Sequence, residues 1–190
     1  MSKQVQALFL DKKMGFFIYL IVEGIMFAVL FATYIVYTPS YSGPKPQDVY
    51  SVPSVLLASV CLLSSSATLL LAEKGLSSRS MLFIRSGMAA TFSLGAIFLF
   101  LEINEYYSYA TEGYTFTANN FLSSFYILTG LHAVHVLFGL LWMVVLTLQS
   151  FRHLPYALYL EKQKIFHYYW HFVDVVWLFI ICVVYIPYIV

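Results

Sequence analysis

From Met14 to Tyr37 the chain reads MGFFIYLIVEGIMFAVLFATYIVY, with Glu23 as its one charged residue. About twenty-four such residues suffice to cross a hydrocarbon layer of ~30 Å at ~1.5 Å per residue. Four more apolar runs follow. The pattern predicts helices at about 14–37, 53–73, 81–104, 119–149 and 166–189. The first connection, TPSYSGPKPQD, is dense in Pro, Gly and Ser and reads as an irregular loop. The second, EKGLSSRS, is short, which makes the second and third helices antiparallel neighbours. The fourth run exceeds what a bilayer needs and is expected to tilt or to extend beyond it. With no internal repeat and no low-complexity tail, the expectation is a single all-α, polytopic membrane domain over residues 1–190 with five transmembrane helices.

Composition agrees with that pattern. Of the 190 residues, 61% are hydrophobic, 19% aromatic and only 10% charged, against about a quarter charged in a soluble domain. The net charge of +1 has no basic stripe behind it, so no nucleic-acid partner is indicated. Cys61 and Cys182 sit inside apolar runs and read as small core residues, not as a disulfide or a metal pair. The first run lacks an A-x-A cleavage site, so it is expected to stay as an anchor. Charge then suggests a direction. If the spans alternate, Lys3, Lys12, Lys13, Lys74, Arg79, Arg85, Arg152, Lys162 and Lys164 fall on one side, and Lys45 alone on the other. The excess of positive charge puts the amino terminus in the cytoplasm and the carboxyl terminus outside.

Ionisable groups inside the runs are the candidate chemistry. Glu23 lies roughly 13–14 Å along the first helix. His132 and His135 are three apart on the fourth, and His167, His171 and Asp174 are spaced by four and three on the fifth, which places each set on one helix face. A charge at such depth costs about 2.5–3.5 kcal/mol on insertion scales, so each group should face the bundle interior and have a partner. Gly24, Ala28 and Ala32 on the first helix, and Gly87, Thr91 and Gly95 on the third, form rows that let backbones approach. Plainer readings stand beside these. Glu23 is either a protonated acid hydrogen-bonded to a neighbour or a proton-handling group, and satisfied core histidines outweigh metal ligands for His132 and His135. Tyr34, Tyr37, Tyr106, Tyr107 and Trp170 read as an interfacial belt, and Glu102 and Glu105 as hydrated groups at the outer surface. No Glu-x-x-His, HExxH, glycine-rich phosphate loop or GxSxG elbow occurs. The residues therefore point to no catalytic set and no metal site within this chain.

Five segments, in order, carry a resemblance. YWHFVDVVWLF at 169–179 resembles the carboxyl-terminal signature of subunit III of the haem–copper terminal oxidases, the cytochrome c and quinol oxidases. TGLHAVHVLFG at 129–139 is similar to that family's T-G-x-H-x-x-H-V-x-x-G helix, and NEYYSY at 104–109 to its glutamate–tyrosine motif, with Glu105 in the carboxylate position. SVLLAS at 54–59 matches the start of another helix. Residues 14–34 resemble the helix with the family's buried glutamate, which falls on Glu23, and Arg152 falls where the family has an arginine. Many members have seven helices; by the resemblance this chain starts at what would be the third, as five-helix bacterial forms do.

The resemblance implies a bacterial plasma-membrane protein in a proton-pumping oxidase that reduces oxygen to water, with cytochrome c as donor and quinol as the alternative. It implies that haems and copper belong to subunits I and II and that this chain binds none of them. Its partners would be subunit I as the main contact, subunit II, small subunits and phospholipids, with Arg152 suited to a lipid phosphate. Glu23 would be the membrane-embedded acid that aids the subunit I contact or proton uptake. Asp174 is expected to take a hydrogen bond from His171, His132 or His135 and so to lock the fifth helix to the fourth. A standalone proton or solute transporter is the rival class, but it calls for paired repeats or broken helices, and a bis-histidine haem protein is another.

Overall fold

The computed structural model describes residues 3–38, 50–151 and 155–189. Its helices are α1 (Lys3–Tyr37), α2 (Val52–Ser77), α3 (Met81–Thr111), α4 (Asn120–Gln149) and α5 (Tyr156–Ile180). α5 continues through one wide π-helical turn, Ile181–Tyr185, into a last α-helical turn, Ile186–Ile189. Pro187 sits in that last turn. Its ring would collide with the carbonyl four residues back in a regular helix, and the widened turn just before it relieves the clash. Five helices among the described residues are long and apolar enough to cross a membrane, as the hydropathy pattern predicts.

Three boundaries differ from expectation by more than a turn or so, the first being that α1 begins at Lys3 and not near 14. α3 runs on to Thr111 instead of stopping near 104, because Glu102, Glu105 and Tyr109 lie on its inner face at 1%, 5% and 3% exposure. The two glutamates are therefore buried, not hydrated surface groups. Gly113, at φ +88°, ends the helix: Gly113 N–H bonds to Ala110 O at 3.3 Å and Tyr114 N–H to Tyr109 O at 2.9 Å, the paired bonds of a glycine-terminated helix. α5 begins at Tyr156, not 166. Its charged opening turns look like a connection in sequence, yet the helical frame buries Tyr159, Gln163 and Phe166 and leaves Lys164 outside. Lys162 and Lys164 thus belong to a helix. Asn119 Oδ1 caps α4 by accepting Leu122 N–H at 2.7 Å.

Helices consecutive in the chain run in alternate directions, whereas α1 and α5 lie side by side and parallel, Phe17 meeting Tyr168 and Phe31 meeting Phe179. Gly75 and Gly87 meet the α2–α3 seam, where a Cβ on Gly87 would come within 2.5 Å of Ala72 N. Farther along, Thr91 Oγ1 donates to Ser65 O at 3.2 Å and meets Thr68 Oγ1 at 2.9 Å. The Gly87–Thr91–Gly95 row packs as expected. The Gly24 row does not: the nearest atom to a Cβ on Gly24 is Phe172 Cε2 at 3.9 Å, and Gly24 and Ala28 line an apolar groove of about 300 Å³ against α5. α1 stands at the edge of the bundle, touching α4 and α5, and its other side is bare: Ile21, Ile25 and Val36 are 62%, 60% and 71% exposed.

Trp170 occupies the centre. Fully buried, it contacts the Gly95 position on α3 and the Gly139 position on α4, and its Nε1–H donates to Ser65 Oγ on α2 at 2.9 Å. Tyr34 is buried as well, bonded to Tyr50 at 2.9 Å; burial pushes the Tyr50 phenol well above the usual tyrosine range. Neither Trp170 nor Tyr34 is a belt residue, whereas Tyr37 and Tyr107 are exposed and Tyr106 is half-buried. Cys61 is buried and Cys182 exposed, so only the first is a core residue.

Gly87→Ala should destabilise the fold by about 1–3 kcal/mol, because both sides of the clash are backbone and cannot yield without separating the helices. Gly130→Ala is the control, with nothing within 4 Å of its added Cβ. Thermal unfolding of the purified protein should show loss for the first and none for the second; equal behaviour contradicts the close-packed seam.

Candidate functional site

The intramembrane acids and histidines do not form one site. They divide among three places, each at a different helix seam.

The first joins α1 to α4. His135 Nε2 lies 3.2 Å from Glu23 Oε2, with the side chains 11% and 17% exposed, and the ring packs 5.2 Å from Phe27. His135 Nδ1 is 2.8 Å from Leu131 O, a carbonyl that can only accept, so Nδ1 carries a proton. Nε2 is left to face the Glu23 carboxyl group, so this contact ties α1 to α4 inside the bundle. Tyr169, from α5, donates to His135 O at 2.9 Å and ties a third helix to the pair.

The second joins α2 to α5. Ser66 Oγ donates to Asp174 Oδ2, and His171 Nδ1 lies 3.3 Å from the same serine and 3.8 Å from the carboxylate. The expectation of a hydrogen bond or ion pair to Asp174 is met in part: His171, one of the expected partners, lies within ion-pair distance, but the helix that Asp174 ties to α5 is α2 and not α4. The donor is a serine on α2, and the nearer histidine, His171, has a side chain 44% exposed at the bundle surface. Two parallel contacts reinforce this seam: Trp170 to Ser65, and Trp177 Nε1–H to Ser59 Oγ at 3.2 Å. Sequence reasoning missed these serines. The signal was present in LLSSSATLL, four hydroxyls inside an apolar helix that each need an acceptor or donor, with Ser59 three residues before that stretch.

The third lies between α3, α4 and α5. His132 is 1% exposed, stacks on Trp177 with centroids 5.2 Å apart at 22°, and meets the Phe98 edge at 5.9 Å. It does not share a site with His135, which turns toward α1. Both nitrogens of His132 lack a hydrogen-bond partner, as does Glu102 Oε1. Glu105 accepts from Tyr109, one helical turn on, and lies beside Ser54 and the Ser51 backbone at the start of α2. The carboxylate of NEYYSY thus sits at the amino end of the helix that carries SVLLAS, where free N–H groups favour negative charge. Arg152 lies outside the described residues, as do Lys45 and Asp48. Among the described residues no three His, Cys, Asp or Glu side chains converge as a metal ligand set would.

The family model described as cytochrome c oxidase subunit III matches residues 3–188. The chain belongs to the cytochrome c oxidase subunit III family. It is 38% identical over 177 residues to the cytochrome c oxidase subunit 3 of Bacillus sp. (strain PS3), covering 93% of this chain and 86% of that one. It is 37% identical over 177 residues to the cytochrome bo(3) ubiquinol oxidase subunit 3 of Pseudomonas aeruginosa, covering 90% and 83%. It is 35% identical over 175 residues to the probable quinol oxidase subunit 3 of Staphylococcus aureus (strain USA300), covering 91% and 87%. The chain is therefore a subunit III of a haem–copper oxidase, of cytochrome c or quinol type, a multipass membrane component of a multisubunit terminal oxidase.

The Ser66–Asp174 contact has a measurable weight. Interhelical hydrogen bonds in membranes contribute about 0.6 kcal/mol on average and up to about 1.7, and Ser66→Ala should fall in that range. In a double-mutant cycle on unfolding, Ser66→Ala and Asp174→Asn should couple, whereas Ser66→Ala and His135→Gln, which share no partner, should add. Additivity in both cycles contradicts the assignment.

Proposed function

We propose that this subunit serves the oxidase as a docked, proton-holding wall: it packs α1 against subunit I, contacts subunit II and small subunits, and supports proton uptake toward an oxygen-reducing centre whose haems and copper the partners carry. The observation behind this reading is the Glu23–His135 contact at 3.2 Å, which joins α4 to α1, the span least covered by the rest of the bundle, whose outward face carries Ile21, Ile25 and Val36. That face is apolar enough for a protein neighbour or lipid, and the pair lies close enough behind it to respond to what docks there. The dispersal of the histidines and acids over separate seams supports leaving the redox groups to other subunits.

Orientation belongs to the same proposal. Lys13 stacks over Tyr168, Arg85 reaches Ser150 and Lys162 reaches Gln149, so the described cations gather where α1 and α5 begin and α4 ends. We place that end, and the amino terminus, on the cytoplasmic side of a bacterial plasma membrane, with the carboxyl terminus outside. Cytochrome c is the proposed donor; quinol stands as the second reading, because relatives of both kinds align over nearly the whole chain. Bound phospholipid is expected, with Arg152 as one contact.

Glu23→Gln keeps the size of the side chain but removes its titratable carboxyl group. The oxidase with this change should assemble and retain most of its initial oxygen-reduction rate, while proton pumping or the number of turnovers before inactivation falls several-fold. Oxygen electrode traces and proton-pulse measurements on reconstituted vesicles read both quantities. Wild-type values for both would make the pair purely structural.

A further inference from the structure

At the end of the bundle where the cations gather, a cavity of about 350 Å³ opens between the α2–α3 turn and the first turns of α5. Its wall carries charges of both signs, Arg79 and Lys164 on one hand and Glu73 on the other, and Tyr156, Leu160 and His167 are among the other residues that line it. Among the described residues neither Arg79 nor Glu73 has an ion-pair partner, and Lys164 is held only by a surface contact to Glu161 at 3.2 Å, its side chain 48% exposed. His167, 6% exposed, closes the inner wall.

Arg79 is placed by an unusual backbone. Its φ is +54°, the left-handed region that glycine favours, in a turn otherwise built like the one at Gly113: Arg79 N–H bonds to Leu76 O at 3.4 Å and Ser80 N–H to Gly75 O at 2.9 Å. An arginine is less favourable in this conformation than a glycine would be. Its guanidinium lies 5.5 Å from the Tyr156 ring, whose hydroxyl already donates to Leu76 O at 2.5 Å. The side chain is thus stacked on Tyr156 at the cavity mouth, and among the described residues its donors have no partner.

We propose that this cavity binds a phosphoethanolamine group. A simple phosphate would gain Arg79 and Lys164 but face Glu73, which opposes a second negative charge. A phosphate ester with a primary ammonium two carbons away matches the wall: the phosphate takes the fork of Arg79 and the Lys164 ammonium, and the ligand ammonium donates to Glu73. A quaternary ammonium has no N–H for Glu73, and a glycerol headgroup has no cation, so both are disfavoured. Leu76 and Leu160 are the aliphatic part of the lining, where the glycerol end of such a ligand would lie. Such a site requires only a membrane-spanning chain and does not depend on the role given to Glu23.

The test is native mass spectrometry of the purified oxidase complex exchanged into vesicles or nanodiscs of phosphatidylethanolamine, phosphatidylglycerol or phosphatidylcholine. Wild type should retain one phosphatidylethanolamine several-fold more than either other lipid. Glu73→Gln should bring the ratio of ethanolamine to glycerol lipid toward one. Arg79→Gly, which suits the backbone and so preserves the turn, should lower retention of both. Water-soluble phosphoethanolamine supplied at matched concentration separates the sources: retention of the diacyl form alone assigns a lipid, and equal retention of the soluble ester assigns a free metabolite-like ligand, either of which supports the site. Equal retention of all three lipids by wild type, or ratios untouched by Glu73→Gln, overturns it.

Discussion

The structure hangs on the seat of one indole. In lipid, apolar side chains gain nothing by meeting each other instead of acyl chains, so helices associate through close packing and buried polar contacts. Trp170 supplies both at once. Its ring lies where Gly95 and Gly139 have no side chain; a Cβ on Gly139 would stand 2.7 Å from Trp170 Cζ3. Its Nε1–H is satisfied by Ser65 of α2. One side chain of α5 therefore fixes the distances to α2, α3 and α4, and the polar pairs elsewhere in the bundle are set by those distances. Ser66 reaches Asp174, and Ser59 reaches Trp177, because the seam is already closed between them.

α1 is held differently. It has no glycine in tight contact with a neighbour, and it meets the bundle through the Glu23–His135 pair, aromatic contacts such as Phe27 with Phe172, and the Tyr34 hydroxyl. A helix fastened mainly by one glutamate–histidine contact and a few rings, with the rest of its surface bare, is suited to being completed by another protein. The carboxylate of Glu105, near the far end of α3, acts within the bundle instead. It accepts from Tyr109 and lies at the start of α2, fixing where that helix begins.

Much of this was readable in the sequence, for physical reasons that also explain the misses. The five spans were legible because charge is costly in lipid, so hydropathy alone marks them. Their ends were not, because an amphipathic segment such as YLEKQK resembles a connection until the helical frame shows Gln163 inside and Lys164 outside. Glu102 and Glu105 lie near the end of an apolar run, and position along a run does not reveal which face they occupy. The rows of small residues were legible as patterns, but only a neighbour distinguishes the tight Gly87 from the open Gly24. Asp174 was matched to histidines on its own helix and the one before it, whereas its donor is 108 residues away. The family resemblance located Glu23 and Glu105; it did not identify their partners.

The central claim is that this chain contributes docking and proton-holding groups while its oxidase partners carry the redox centres. Its most direct test is to purify the native complex through an affinity tag on this subunit, record the haem spectrum and metal content, then separate the subunit and record both again. Haem and copper should appear in the complex together with the larger oxidase subunits, and neither in the separated chain. A haem absorption band or stoichiometric copper that stays with the isolated subunit, or a tag that brings down no oxidase partner, would contradict it.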